Sequence, residues 1–122
     1  MKQIRQIIYY KHYFEEFFNK QTEKVKDKID EVLFLITLVD RVPGKFLQHI
    51  EGTNGLYEVR IELGSNIFRI FCCFDKGRLV VLFNGFQKKT QKTPKTEIEK
   101  AEKLKAEYFK QKNKLKEDER KK

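Results

Sequence analysis

The side chains best placed for chemistry are cationic. Arg69 is the one charged residue inside the most apolar stretch of the chain, Ile67 to Phe74. A guanidinium there can reach a sheet rim, pair with a carboxylate, or point into a cleft. Arg60 lies between Glu58 and Glu62 on the run before it. Its plainest role is a cross-strand salt bridge, worth about 0–1 kcal/mol if exposed. Lys88 and Lys89 follow the next apolar run, and Lys92 and Lys95 flank Thr93-Pro94. With the polar side of a sheet left open, Arg60, Arg69 and Lys88 or Lys89 could converge on one concave face. Such a cluster suits phosphate, because arginine offers paired donors and lysine a mobile point charge. It also suits RNA scission. The substrate's own 2′-OH is the nucleophile, and cations would stabilise the extra negative charge of a pentavalent phosphorus. Glu58 could assist as a base, an ion pair being its simpler role.

Other chemistries lack their residues. His12 and His49 are the only histidines, and neither has Cys, Asp or Glu at metal-ligand spacing. Ser65 is the only serine and sits in a turn, so no nucleophile elbow is present. Neither common phosphate-cradling glycine loop occurs. Cys72 and Cys73 are adjacent, hence on opposite faces of a strand and poorly placed to bridge one another. They read as buried thiols in a reducing compartment. No metal and no cofactor is expected.

The 122 residues favour one domain, and 11 Phe and 5 Tyr supply a core. No apolar run approaches the roughly 20 residues needed to cross a bilayer, and the N-terminus lacks a long apolar region and a small-residue cleavage site. A cytoplasmic protein without a membrane partner is expected. Residues 1–86 hold 13 Lys/Arg against 11 Asp/Glu, whereas residues 87–122 hold 14 against 7. The basic excess of a chain with net charge +9 therefore follows the apolar segments. A polyanion is the natural partner of such a segment, an acidic protein or mere solubility being the alternatives.

The elements that must position these cations are legible in outline. Residues 2–10 are β-rich and predict a first strand. Tyr13, Phe14, Phe17 and Phe18 form a helical stripe over 12–19. Val25, Ile29, Val32, Leu33, Ile36 and Val39 form a longer one over 22–40, after Thr22. Residues 41–56 read as connecting chain, broken by Pro43, Gly44, Gly52 and Gly55. Tyr57 to Leu63 alternates strictly, Ile67 to Phe74 is almost continuously apolar, and Leu79 to Phe86 completes a meander. Gly64-Ser65-Asn66 and Asp75-Lys76-Gly77 are its turns. Thr93 is placed as N-cap with Pro94 at the first helical position, and Thr96 with Glu99 offers a competing capping box. Ile98, Ala101, Leu104 and Tyr108 make the stripe of a last helix. The order β-α-α-β-β-β-α predicts an α+β fold, an antiparallel sheet with helices packed on one face. One domain spans 1–110, and the charged tail 111–122 is expected to be frayed or disordered.

Several of these segments resemble a known family. Lys45-Phe46-Leu47, Glu51-Gly52, Gly55-Leu56-Tyr57-Glu58-Val59-Arg60, Arg69-Ile70-Phe71 and Gly85-Phe86-Gln87-Lys88-Lys89-Thr90-Gln91-Lys92-Thr93-Pro94 are similar to the phage-derived, HigB-like toxins of the RelE/ParE superfamily. The resemblance spans roughly residues 2–110. It implies the toxin of a type II toxin–antitoxin system, a metal-independent and ribosome-dependent mRNA endonuclease. Its implied partners are a cognate antitoxin of helix-turn-helix type, mRNA on the ribosome, and operator DNA through the antitoxin.

By the same resemblance Arg69 matches an arginine that contacts the scissile phosphate, and Arg60 a basic position on the preceding strand. Lys88 and Lys89 match basic residues at the end of the last strand, which makes Arg60, Arg69, Lys88 and Lys89 the implied catalytic set. Lys92, Lys95 and Glu58 are the candidate RNA-binding residues. The chain departs from the pattern at Phe68, at Glu58, where a second basic residue is common, and between Thr90 and Pro94, where no tyrosine occurs. A ParE-like gyrase inhibitor and a non-toxic regulatory member that binds antitoxin and operator are the alternatives.

Overall fold

The computed structural model describes residues 2–121. Its elements are β1 (Gln6–Tyr9), α1 (Tyr13–Asn19), α2 (Glu23–Leu38), β2 (Leu47–His49), β3 (Tyr57–Leu63), β4 (Asn66–Asp75), β5 (Leu79–Lys88) and α3 (Lys95–Arg120). The α+β class and the expected order hold, with β2 added inside what reads in sequence as connecting chain. The five strands lie in the order β1-β5-β4-β3-β2.

The sheet is mixed, which corrects the expectation of a purely antiparallel one. β1 runs parallel to β5, from Gln6 opposite Leu79 to Tyr9 opposite Leu82. The chain between them is long enough to allow parallel pairing, which a hairpin never can. β3, β4 and β5 form the expected meander. Lys76 and Gly77, at φ 54° and 79°, make the left-handed turn between β4 and β5.

A second correction concerns the helices, which cover both faces of the sheet. The face bearing Val59, Ile61, Phe68, Ile70, Cys72, Val80 and Leu82 packs against Phe14 and Phe17 of α1 and Val25, Ile29, Val32 and Ile36 of α2. The face bearing Phe71, Cys73, Val81 and Phe83 packs against Ala101 and Leu104 of α3. Period-2 alternation accounts for the division. Buried Cys72 and Cys73 point to opposite layers as free thiols.

Between Ile70 and Cys72 the β4–β5 register slips: Ile70 faces Gly85, whereas Cys72 faces Leu82. β5 therefore carries one residue more than β4 there, a β-bulge at Phe83-Asn84. Phe83 packs in the α3 layer, and Asn84 donates to Glu97 Oε2 of α3 at 2.9 Å. Beyond the bulge Gly85 lies under the Phe17 ring, where a Cβ would stand 2.6 Å from a ring carbon. Only glycine lets α1 approach β5 so closely.

Thr22 caps α2, its side chain accepting from the Val25 amide at 3.3 Å. α3 starts differently from expectation. Pro94 is the N-cap, and neither Thr93 nor Thr96 with Glu99 supplies a side-chain cap. At φ −59° and ψ 130° Pro94 is extended, and its carbonyl accepts from Glu97 and Ile98. The far half of α3 continues through Arg120, where the sequence suggests a frayed or disordered tail. Tyr108 donates to Asp75 Oδ2 at 2.7 Å, and Lys112 Nζ reaches both Asp75 oxygens at 2.6 and 2.7 Å. Burial works to raise the Asp75 pKa, but the bonds from Lys112 and Tyr108 outweigh it and hold the carboxyl below its usual range. Burial, with the neighbouring Asp75 carboxylate, pushes the Tyr108 hydroxyl up to about 12. Among the described residues no helix is long and apolar enough to cross a membrane.

Candidate functional site

Strand pairing decides which cations meet. Glu58 stands opposite Phe71, Arg60 opposite Arg69 and Glu62 opposite Ile67. Arg69 in turn stands opposite Phe86, and Ile67 opposite Lys88. Residues directly paired share a side of the sheet. Glu58, Arg60, Glu62, Arg69 and Lys88 therefore lie together on the α3 side, as the sequence anticipates for Arg60, Arg69 and Lys88.

The two arginines are cross-strand neighbours of like charge, an arrangement that ordinarily destabilises a sheet. Arg69 is only 1% exposed. Its Nε lies 2.9 Å from Glu58 Oε2, and Nη1 donates to the Phe68 carbonyl at 3.1 Å. Of the three roles open to Arg69, pairing with a carboxylate is the one observed, and Glu58 is its ion-pair partner. Burial lowers the Arg69 pKa; Glu58 opposes that shift and Arg60 adds to it.

Arg60 is half-buried. Its Nη1 donates to Gln48 Oε1 at 2.7 Å, a partner from β2 in place of the anticipated salt bridge. Its Nε is buried with no hydrogen-bond partner. Gln48 is absent from the sequence-based candidates because β2 spans three residues inside a segment full of breakers. Leu47-Gln48-His49 shows no period-2 alternation that would mark it.

Lys88 is half-buried at the end of β5, Lys89 and Lys92 are exposed along the connection into α3, and Lys95 is exposed at the first position of α3. None of these four lysines forms an ion pair among the described residues. Lys88 shares the side of the arginines; Lys89, Lys92 and Lys95 lie beyond the paired strand. His12 stacks on Tyr13 and stands 3.6 Å from Glu16, while His49 Nε2 is 3.1 Å from the Thr53 carbonyl. Neither histidine hydrogen-bonds or ion-pairs with the arginines among the described residues. Among the described residues no three His, Cys, Asp or Glu side chains cluster as metal ligands do.

A cavity of 210 Å³ opens beside Arg60, lined also by Lys28, Lys45, Phe46 and Glu62. A larger cleft of 620 Å³ lies elsewhere, between α3 and the β4–β5 turn, and takes in Asp75, Tyr108 and Lys112. None of the basic-face residues lines it. What the basic face can do is receive an anion: one half-buried arginine, one buried and paired on the neighbouring strand, and a lysine at the strand end.

The family described as "Phage derived protein Gp49-like (DUF891)" matches residues 16–106, three quarters of the chain and all of the basic face. Among solved structures, the chain is similar to one in the crystal structure of the archaeal RelE–RelB complex from Pyrococcus horikoshii OT3, at 17% identity and a TM-score of 0.48. That similarity covers 67% of this chain and 92% of the other. No curated protein matches the chain.

Proposed function

The chain belongs to the Gp49-like family of phage-derived proteins, and from that premise we propose that it is the toxin of a type II toxin–antitoxin pair. In this reading it is a metal-independent endonuclease that cuts mRNA on the ribosome, and so works in the cytoplasm. The observation that carries the reading is the Arg60–Arg69 pair, two arginines set directly opposite one another across β3 and β4. Stability alone disfavours such a pair, and a phosphate between strands would reward it.

The chemistry needs few protein groups. The 2′-OH of the substrate attacks the adjacent phosphorus, the 5′-oxygen leaves, and a 2′,3′-cyclic phosphate remains. Arg60 and Lys88 offer donors to the non-bridging oxygens as charge builds there, and buried Arg69 supplies positive potential from the neighbouring strand. Lys89, Lys92 and Lys95 hold the strand on either side by charge. Glu58 is occupied by Arg69, which favours a positioning role over that of base. The cognate antitoxin, a DNA-binding protein of helix-turn-helix type in this reading, silences the toxin and carries it to operator DNA.

Expression of the chain should arrest translation and leave cleavages within codons, and Arg69→Ala should abolish them. Equal mRNA integrity with wild type and with a folded Arg69→Ala variant sinks the reading. The Glu58–Arg69 ion pair favours a second one, a regulatory member that binds antitoxin and operator without cutting RNA. That protein would leave mRNA intact yet shift operator DNA when its antitoxin is present. A gyrase inhibitor would instead block supercoiling by purified gyrase.

A further inference from the structure

β3 is only partly paired on its outer side. β2 covers Tyr57 to Val59, and the Arg60 amide still donates to the Phe46 carbonyl, but Ile61 to Leu63 lie beyond the last β2 partner. At this open edge the 210 Å³ cavity gathers groups from three elements. Lys28 reaches in from α2, Lys45 and Phe46 from the connection before β2, and Arg60 and Glu62 from β3. Three cations thus surround the space against one carboxylate. Lys28 is only loosely engaged, 3.6 Å from Glu31, and Lys45 lies 4.9 Å over the Phe46 ring. The buried Arg60 Nε has no partner in the protein. A donor left unpaired at such depth costs about 1–3 kcal/mol unless a ligand satisfies it.

We propose that this edge cavity is a phosphate subsite for single-stranded RNA, and that Lys28 and Lys45 are RNA-binding residues. Cations beside an aromatic ring form the pattern by which proteins track a single strand, charge holding the backbone and the ring stacking a base. Arg60 borders the cavity, and its Nη1 is held by Gln48 of β2 on the same outer edge. Neither Lys28 nor Lys45 belongs to the catalytic set, so the subsite extends the RNA path around the sheet edge toward α2. The proposal rests on the RNA-cleaving reading of the same face, but binding tests it separately from cleavage.

The probe is a short single-stranded RNA with every 2′-OH methylated, which the proposed chemistry cannot cut. Its affinity is measured across a salt series for the full chain, for Lys28→Ala/Lys45→Ala, and for Lys24→Ala, an exposed lysine of the same helix. Loss of one phosphate contact should lower the log–log salt slope by about 0.7 and weaken binding at low salt about tenfold in the double variant, with Lys24→Ala unchanged. An unchanged slope in the double variant overturns the proposal and leaves the lysines as guards of a sheet edge. So does an equal loss in Lys24→Ala, which would mean diffuse charge. Competition by inorganic phosphate or an acidic peptide as effective as unlabelled RNA overturns the assignment to RNA. A wild-type chain that binds the probe through Lys28 and Lys45 yet cuts no mRNA would keep the subsite and remove the nuclease.

Discussion

Arg69 carries its charge where water scarcely reaches, and Glu58 makes that tolerable. A guanidinium taken out of water needs a nearby anion, and breaking such a pair from one side is far costlier than never having built it. Arg60, directly opposite, adds repulsion that Glu58 and Glu62 offset. Glu58→Gln keeps the shape of the side chain and removes its charge. It should destabilise the fold by about 3 kcal/mol, read as a lower urea midpoint at unchanged slope. A shift within the scatter of surface substitutions would mean that Arg69 finds its counter-charge elsewhere. The sequence marks Arg69 as anomalous, a cation amid Ile67, Phe71 and Cys73, and marks Glu58 as a plausible partner. It does not reveal the depth of Arg69, because that depends on neighbouring strands and the layer above them. Nor does it reveal Gln48, whose claim on Arg60 depends on a strand of three residues.

Among the elements, α3 is the one whose placement the sequence conceals. Its stripe of Ile98, Ala101, Leu104 and Tyr108 shows that one side is apolar, without saying which sheet face receives it. The clue is β4 itself. A run apolar at successive positions, Ile70 to Phe74, needs cover on both faces, and α1 with α2 can supply only one. The strictly alternating β3, by contrast, was legible residue by residue. The latch of Tyr108 and Lys112 on Asp75 fixes the far half of the helix. Asp75→Asn should leave the sheet intact and speed amide exchange over residues 107–120 at least tenfold, the loss of about 1.4 kcal/mol or more expected where a charged hydrogen-bonded group is neutralised. Exchange unchanged there would show the helix to be held by its apolar contacts alone. The pH dependence has a definite sign. The folded state holds the Asp75 pKa down, so its contribution is whole above the unfolded value of about 3.9 and fades as pH falls through the folded one. Tyr108 is raised, so its share is whole below about pH 10 and fades as pH climbs toward about 12.

On the scale of the molecule, one sheet separates two layers. α1 and α2 cover one side; α3 covers part of the other and shares it with the cations. Which side Lys88 joins is a matter of counting. Leu82 and Lys88 are an even number of residues apart, and unbroken alternation would set both against α1 and α2. The extra residue at Phe83-Asn84 makes β5 odd over that stretch, so Lys88 emerges beside Arg69, and Gly85, not a bulkier residue, comes to lie under Phe17. The phase of the strand, more than the identity of its residues, thus assigns positive charge to a side. Deleting Asn84 would remove the surplus residue and its bond to Glu97 while leaving Gly85 opposite Ile70 and Lys88 opposite Ile67. The proposed RNA affinity should then survive, at some cost in stability. Inserting one alanine after Gly85 would invert the phase, turn Lys88 toward the α1–α2 layer, and lower RNA affinity even though every original residue is still present. Equal affinity in the two variants would remove Lys88 from the proposed RNA contacts. The strand works as a parity code, and a change of one in its length that the bulge does not absorb rewrites the surface without touching a single charge.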